Sequence, residues 1–281
     1  MILTVEEFIK LRNIIYDKAG IFFETKKIYY VNKRVEKRME ALSINDVNEY
    51  FNYLKFRDKP GTEIQHLLNL ITTNETYFFR EDQQLKVFLD HCLPEILAVK
   101  RQSGDNRIRI WSAGCSSGEE PYTLAILLRE GIPDISAWKV EIIANDIDTD
   151  ILQKAREGYY QDRSLRFVSP YIVKKYFKQD NGNYIIDPAI KQMVQFYHMN
   201  LMDSPRMRLL RNMDFIFCRN VLIYFDDVSR KAVMANFYDS LNPGGYIYLG
   251  HSESVTRISS AYTIKRQGNL LVHQKPRPQE V

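Results

Sequence analysis

A chain of 281 residues, 45% hydrophobic and 26% charged, has room for one large domain or two modest ones with a sizeable core. A formal net charge of +4 excludes the basic footprint of a general nucleic-acid binder, and no apolar run approaches the ~18–20 residues that a membrane span needs. Cys92, Cys115 and Cys218 stand alone, which excludes a disulfide framework or a zinc site of ordinary spacing and suits a reducing cytosol.

The opening Met-Ile-Leu-Thr-Val-Glu-Glu has neither a basic n-region nor a long apolar stretch, so no export signal is expected. Residues 1–72 read as an all-α domain. Val5, Phe8, Ile9, Leu11 and Ile15 have helical spacing, and Thr4 with Glu7 forms a capping box. A Lys/Arg-rich helix follows from Lys26 to Met39, then helical stretches at 47–56 and 63–71 broken by Lys59-Pro-Gly61. Residues 73–106 read as a connecting segment. From Arg107 onward, strand-like runs at 108–111, 140–144, 215–218 and 246–249 alternate with helical runs at 121–130, 149–157 and 228–241. That alternation predicts βαβ units on a mostly parallel sheet. A further strand-like run at 270–273 follows Ser/Thr-rich polar sequence. Residues 158–196 break the alternation: Asn181-Gly-Asn183 reads as a hairpin turn, so a small β-subdomain is expected here, inserted into the α/β domain 73–281.

The chemistry gathers at predicted strand ends, where open α/β sheets bind their ligands. After 108–111 comes a turn of small residues with Gly114 and Gly118, read as clearance for a ligand against the backbone. Glu119 and Glu120 then open the helix. Carboxylates at that place repel a pyrophosphate, and the turn lacks G-x-G-x-x-G, which disfavours a nicotinamide dehydrogenase. A ligand with a ribose and a positive centre, such as S-adenosylmethionine (SAM), fits better. Glu119 is expected to face solvent as a helix-start residue and Glu120 to face the ligand. After 140–144, Asp146 lies 28 residues past Gly118, placed to accept both ribose hydroxyls. After 215–218 comes the polar cluster Arg219-Asn220-Val-Leu-Ile-Tyr224.

Five blocks then carry a family resemblance: Thr73-Asn-Glu-Thr-Tyr-Phe-Phe-Arg80, Trp111-Ser-Ala-Gly-Cys-Ser-Ser-Gly-Glu-Glu-Pro-Tyr122, Asn145-Asp-Ile-Asp148, Phe217-Cys-Arg-Asn-Val-Leu-Ile-Tyr-Phe225 and Gly250-His-Ser-Glu253. The chain resembles, over nearly its whole length, the CheR-type chemotaxis receptor methyltransferases, which transfer methyl from SAM to receptor glutamates. The resemblance implies an α/β, Rossmann-like SAM-dependent methyltransferase domain with an inserted β-subdomain, preceded by the all-α domain. It implies that Asn74, Thr76 and Arg80 contact the cofactor from the interdomain segment and that Glu120 meets its methionine or adenosine part. By the same carry-over Asp146 takes the ribose, Asn200 with Leu201 borders the adenine, and Arg219 and Asn220 complete the pocket around Gly114. Arg80 and Tyr224 are expected beside the transferred methyl.

Such a transfer needs little acid–base chemistry, since a glutamate is ionised at neutral pH. Accordingly no catalytic base is apparent, and no metal is expected: His66, His91, His198 and His273 lack metal spacing. The expected partner is the acidic methylation helix of a chemotaxis receptor, met in the cytoplasm at membrane receptor arrays, without membrane insertion. Lys33, Arg34, Lys37 and Arg38 share a face at i, i+3, i+4 spacing and are candidate docking residues; a solvated helix face is the plain alternative. The hairpin at 178–183 lacks an extended Gly-rich loop, so no tether to a receptor C-terminal peptide is expected. Two other readings share the cofactor turn: a SAM-dependent methyltransferase for another protein or small-molecule carboxylate, and a SAM-binding module without catalysis.

Overall fold

Alternate side chains along the first strand are buried in two different cores, and this sets the layers of the molecule. In β1 (Arg107–Ala113) Ile108 and Ile110 join the core on one face of the sheet, while Trp111 and Ala113 join the core on the other. The computed structural model describes residues 3–253 and 259–278. The remaining strands are β2 (Lys139–Asp146), β3 (Tyr159–Tyr160), β4 (Phe177–Asp180), β5 (Asn183–Ile186), β6 (Val194–His198), β7 (Met213–Cys218), β8 (Leu241–Leu249), β9 (Thr263–Gln267) and β10 (Leu270–Gln274). Seven of them form the central sheet in the order β6-β2-β1-β7-β8-β10-β9. The first five in that order run parallel; β10 and β9 close one edge antiparallel. Strand order therefore reverses between β1 and β7, which opens a crevice at their carboxyl ends.

Helices Glu119–Gly131, Thr149–Glu157 and Asp227–Ser240 make the crossovers. The segment 73–106 is more than a connector. Helices Asp82–Val87 and Leu93–Ser103 run on through 88–92, and their Leu85, Phe88, Cys92, Ile96 and Leu97 lie in the same core as Ile108 and Ile110. Phe88 meets Phe215 and Phe217 edge-on at 4.9 and 5.4 Å, over rings that stack on Tyr246 and Tyr248 of the next strand. Such aromatic pairs add about 0.5–1.5 kcal/mol each beyond burial. The apolar spacing of 85–97 was a readable helical signal.

The insertion ends earlier than the expected 196. Its three-stranded sheet, β3-β5-β4, is complete by Ile186, and β6 already belongs to the central sheet, paired with β2. The hairpin turn stands as expected, with Asn181 and Gly182 both at positive φ. The Ser/Thr-rich stretch before β10 contains β9; its part at 254–258 lies outside the described residues, as do Met1 and Ile2 of the opening segment.

Residues 3–71 build a separate helical core around Phe8, Leu11, Val35, Tyr50 and Leu67. Thr4 and Glu7 form the expected reciprocal cap, and Gly20 ends that helix in the left-handed conformation. Polar contacts join this bundle to the end of β2: Gln65 donates to the Ile147 carbonyl at 2.7 Å, Asn69 to Thr149 at 2.8 Å and Thr72 to Asp148 at 3.1 Å. No helix among the described residues is long and apolar enough to cross a membrane.

Candidate active site

A cavity of about 240 Å³ fills the crevice between the carboxyl ends of β1, β2 and β7 and the helical bundle. Every cofactor and catalytic residue expected from the sequence lines it: Asn74, Thr76, Arg80, Gly114, Glu120, Asp146, Asn200, Leu201, Arg219, Asn220 and Tyr224. The bundle contributes Ala19, Ile21 and Ile71 to the wall.

The turn after β1 is closed by the end of β2. The amides of Gly114 and Cys115 donate to the Asn145 carbonyl at 2.8 and 2.9 Å, and the Ser116 amide donates to Asp146 Oδ2 at 2.8 Å. These amides, which a phosphate-binding turn would present to its ligand, are already satisfied. Asp146 is buried, and its other oxygen accepts the Asp148 amide at 3.0 Å. Burial pushes its carboxyl up to about 6, against the opposing pull of the amides.

Both glycines let protein atoms pack closely against the turn. A Cβ at Gly114 would sit 2.3 Å from Val221 Cγ2, and at Gly118 it would press on Ala155, Phe196 and Tyr122 at 3.1–3.2 Å. Both have positive φ. Gly118, unlike Gly114, does not line the cavity.

Of the two glutamates, Glu119 departs from its sequence reading and Glu120 keeps to it. Glu119 is buried, not solvent-facing: it accepts Ser117 Oγ at 2.6 Å and Ser164 Oγ at 3.1 Å, and burial raises its pKa. It ties the turn to the inserted segment. Glu120 faces the cavity as expected, but its charge is not bare. Arg219 Nε donates to it at 2.6 Å and Ser112 Oγ at 2.7 Å. Arg219 also donates to the Arg80 carbonyl at 2.7 Å, joining three distant segments below the cavity.

The interdomain segment is fixed from both sides. Asn74 donates to Asp148 at 2.6 Å, and its carbonyl accepts Ser116 Oγ at 3.2 Å. Arg80 donates to the Glu75 carbonyl at 2.9 Å, with Tyr77 5.6 Å from its guanidinium. Across the cavity, the Tyr224 carbonyl accepts the Phe22 amide at 2.9 Å, and Ile21 bridges Phe225, so the helical bundle holds the far wall. Asn200 keeps its place in the lining while its amide donates to the Lys18 carbonyl at 2.6 Å and its Oδ1 accepts the Met202 amide. Asn220 stands apart: its Oδ1 is buried without a hydrogen-bond partner. Glu253, which received no role from the sequence, accepts the amides of Asn220, Gly250 and Ile223. The Gly250–Glu253 block was its only sequence signal.

The four candidate docking cations are not equivalent. Arg38 forms a two-bond ion pair with buried Glu63, at 3.0 and 2.6 Å, which Tyr50 completes at 2.8 Å. It is a packing residue of the bundle, captured by a carboxylate 25 positions away. Arg34 lies over the Tyr30 ring at 3.5 Å, and Lys33 and Lys37 are exposed. Among the described residues no three of His, Cys, Asp and Glu gather as a metal-binding group.

Comparison with known proteins agrees with this arrangement. Residues 74–268 match the family described as CheR methyltransferase, SAM binding domain, and residues 6–72 match CheR methyltransferase, all-alpha domain. The chain belongs to the CheR methyltransferase family. The chemotaxis protein methyltransferase 2 of Vibrio cholerae is 44% identical over 98% of this chain and 95% of its own length. Those of Borreliella burgdorferi and Escherichia coli are 35% and 33% identical, covering 90% and 94% of this chain and 89% and 90% of their own lengths. As a CheR methyltransferase, the chain is a SAM-dependent protein-glutamate O-methyltransferase of chemotaxis, with a SAM-binding α/β domain behind an all-α domain.

Proposed function

We propose that the cavity binds SAM along the ends of β1 and β2 and admits a glutamate side chain of a chemotaxis receptor between Arg80 and Tyr224. The observation that carries this reading is the convergence of Arg80 and Tyr224, 144 positions apart, on the cavity that also holds Asp146 and Glu120. The residues present suit the cofactor. Asp146 has lone pairs left for the ribose hydroxyls, and the orphaned Asn220 Oδ1 is an acceptor for an ammonium. The Glu120–Arg219 pair offers both signs to an amino-acid moiety; Thr76 and Asn74 line the same stretch, and Leu201 with Asn200 gives an apolar-edged slot for the adenine.

The cofactor supplies an activated methyl on a sulfonium. With SAM bound, that methyl would pass to an acceptor carboxylate oxygen as the carbon–sulfur bond breaks and its electron pair stays on sulfur, which would give a glutamate methyl ester and S-adenosylhomocysteine. The protein aligns the three atoms and excludes water. The Glu75 carbonyl aims the Arg80 guanidinium, whose free N–H groups hold the incoming carboxylate. Because that attraction lowers nucleophilicity, Arg80 orients the acceptor rather than activating it. Tyr224 offers a hydroxyl on the opposite wall. No group is required as a general base.

Docking of an acidic methylation helix falls to Lys33, Arg34 and Lys37, with Arg38 holding the helix that carries them. The two-residue turn of the inserted hairpin favours an enzyme without a receptor-peptide tether, working at membrane receptor arrays through the methylation helix itself. Incubation with labelled SAM and receptor cytoplasmic fragments tests the reading. Base-labile label on receptor glutamates is expected; label only on another protein or on a small carboxylate would overturn it. A receptor C-terminal peptide should show no binding, and micromolar binding would reverse the second point.

A further inference from the structure

The loop after β7 supplies Arg219, Asn220 and Tyr224 to the cavity, and its backbone is held from outside. Asn220 sits at φ +61°, a left-handed conformation that asparagine tolerates better than most side chains. Glu253, in the loop after β8, fastens the backbone there. Its Oε2 accepts the Asn220 amide at 2.9 Å and the Gly250 amide at 2.7 Å, and its Oε1 accepts the Ile223 amide at 3.2 Å. The loop carrying Glu253 is anchored in turn, since Gln84 donates to the Leu249 carbonyl at 2.8 Å. A Cβ at Gly250 would lie 2.9 Å from the Asn220 amide nitrogen, so only glycine lets the two loops approach. Glu253 does not line the cavity and acts through the residues that do.

We propose that Glu253 is a positioning residue for methyl transfer, whose carboxylate fastens the loop 219–225 so that Asn220 faces the cofactor and Tyr224 the acceptor. This rests on the roles given above to Asn220 and Tyr224. The two carboxylate oxygens act at different ends of the loop. Oε2 holds the Asn220 end, and Oε1 holds the Ile223 amide next to Tyr224. A carboxylate is needed because three N–H donors converge on it and it has none of its own.

Glu253→Gln separates the two halves. Its carbonyl keeps the pair of donors at Oε2, while its NH2 meets the Ile223 amide donor to donor. The single-turnover methylation rate at saturating SAM should fall roughly tenfold, as for one lost buried hydrogen bond, with SAM affinity within about twofold of wild type. Glu253→Ala should lower both affinity and rate. Equal losses of affinity and rate in Glu253→Gln, or a wild-type rate, would overturn the proposal. Amide hydrogen exchange on the unaltered enzyme gives a second readout that needs no variant to fold: the Asn220, Ile223 and Gly250 amides should be protected, and fast exchange at all three would overturn it. If Tyr224→Phe and Arg80→Ala keep full rates, the reading of the methyl-transfer site fails instead, while the protection of the three amides still reports the clamp.

Discussion

Asp146 accepts the backbone amide of Ser116 at 2.8 Å, so the end of the second strand closes the turn that follows the first. One carboxylate thereby does two things: it satisfies a turn amide that a phosphate would otherwise take, and it presents its remaining lone pairs to the cavity. The amides of Gly114, Cys115 and Ser116 are consumed from within, which suits the proposed ribose site better than a phosphate site.

If Asp146 takes the ribose as proposed, the same carboxylate should make cofactor affinity depend on pH. In the free enzyme burial holds its pKa at about 6, and hydroxyl donors from a ribose favour the charged form. SAM affinity should therefore be constant above about pH 7 and weaken as pH falls through 6, with proton release on binding near pH 6. Titration calorimetry in buffers of different ionisation heat measures both. In Asp146→Asn, affinity should drop about tenfold to a hundredfold, the range for lost hydrogen bonds to a charged acceptor, and the acid dependence should disappear.

Arg80→Ala should reduce the methylation rate about tenfold to a hundredfold at saturating SAM, and Tyr224→Phe by a smaller factor, with SAM affinity changed little in either. Rapid-quench single turnovers beside equilibrium binding provide the check. A large loss of SAM affinity with an unchanged rate would make Arg80 a cofactor ligand only.

The basic helix yields a two-part outcome. Charge reversal at Lys33 and Lys37 should lower receptor methylation and flatten its salt dependence while leaving SAM binding and melting temperature unchanged. Arg38→Ala should instead destabilise the fold by about 3–5 kcal/mol, because it strands the buried Glu63 carboxylate. Thermal unfolding and methylation assays across a salt series distinguish the two classes.

Glu119 carries a stability prediction. Its folded-state pKa is raised above the ordinary value of 4.5, chiefly by burial. The folded protein then binds more protons than the unfolded chain in the window just above 4.5, so this group's contribution to stability falls as pH rises through it. Glu119→Gln keeps an acceptor for Ser117 without the buried charge. It should melt at or above the wild-type temperature at pH 8, with the difference shrinking as pH approaches 4. A variant uniformly less stable at every pH would show that the carboxylate form is required.

Features governed by near neighbours or by recurrent blocks could be read from the residues alone. The capping box at Thr4 and Glu7, the strand–turn–helix order, the Asn181-Gly182 hairpin and the family membership were all legible, and so was the set of residues that meet at the cavity. Tertiary structure decided which charges remain available. Arg219 reaches Glu120 across 99 positions, Glu63 captures Arg38 across 25, and Ser164 meets Glu119 across 45. It likewise placed Glu253 under Asn220 and filled the space beside Gly114 with Val221. The physical reason is one of range. Helical and strand periods are set within a few residues, whereas the partner of a buried charge or the neighbour of a glycine exists only after the sheet has brought distant strand ends together.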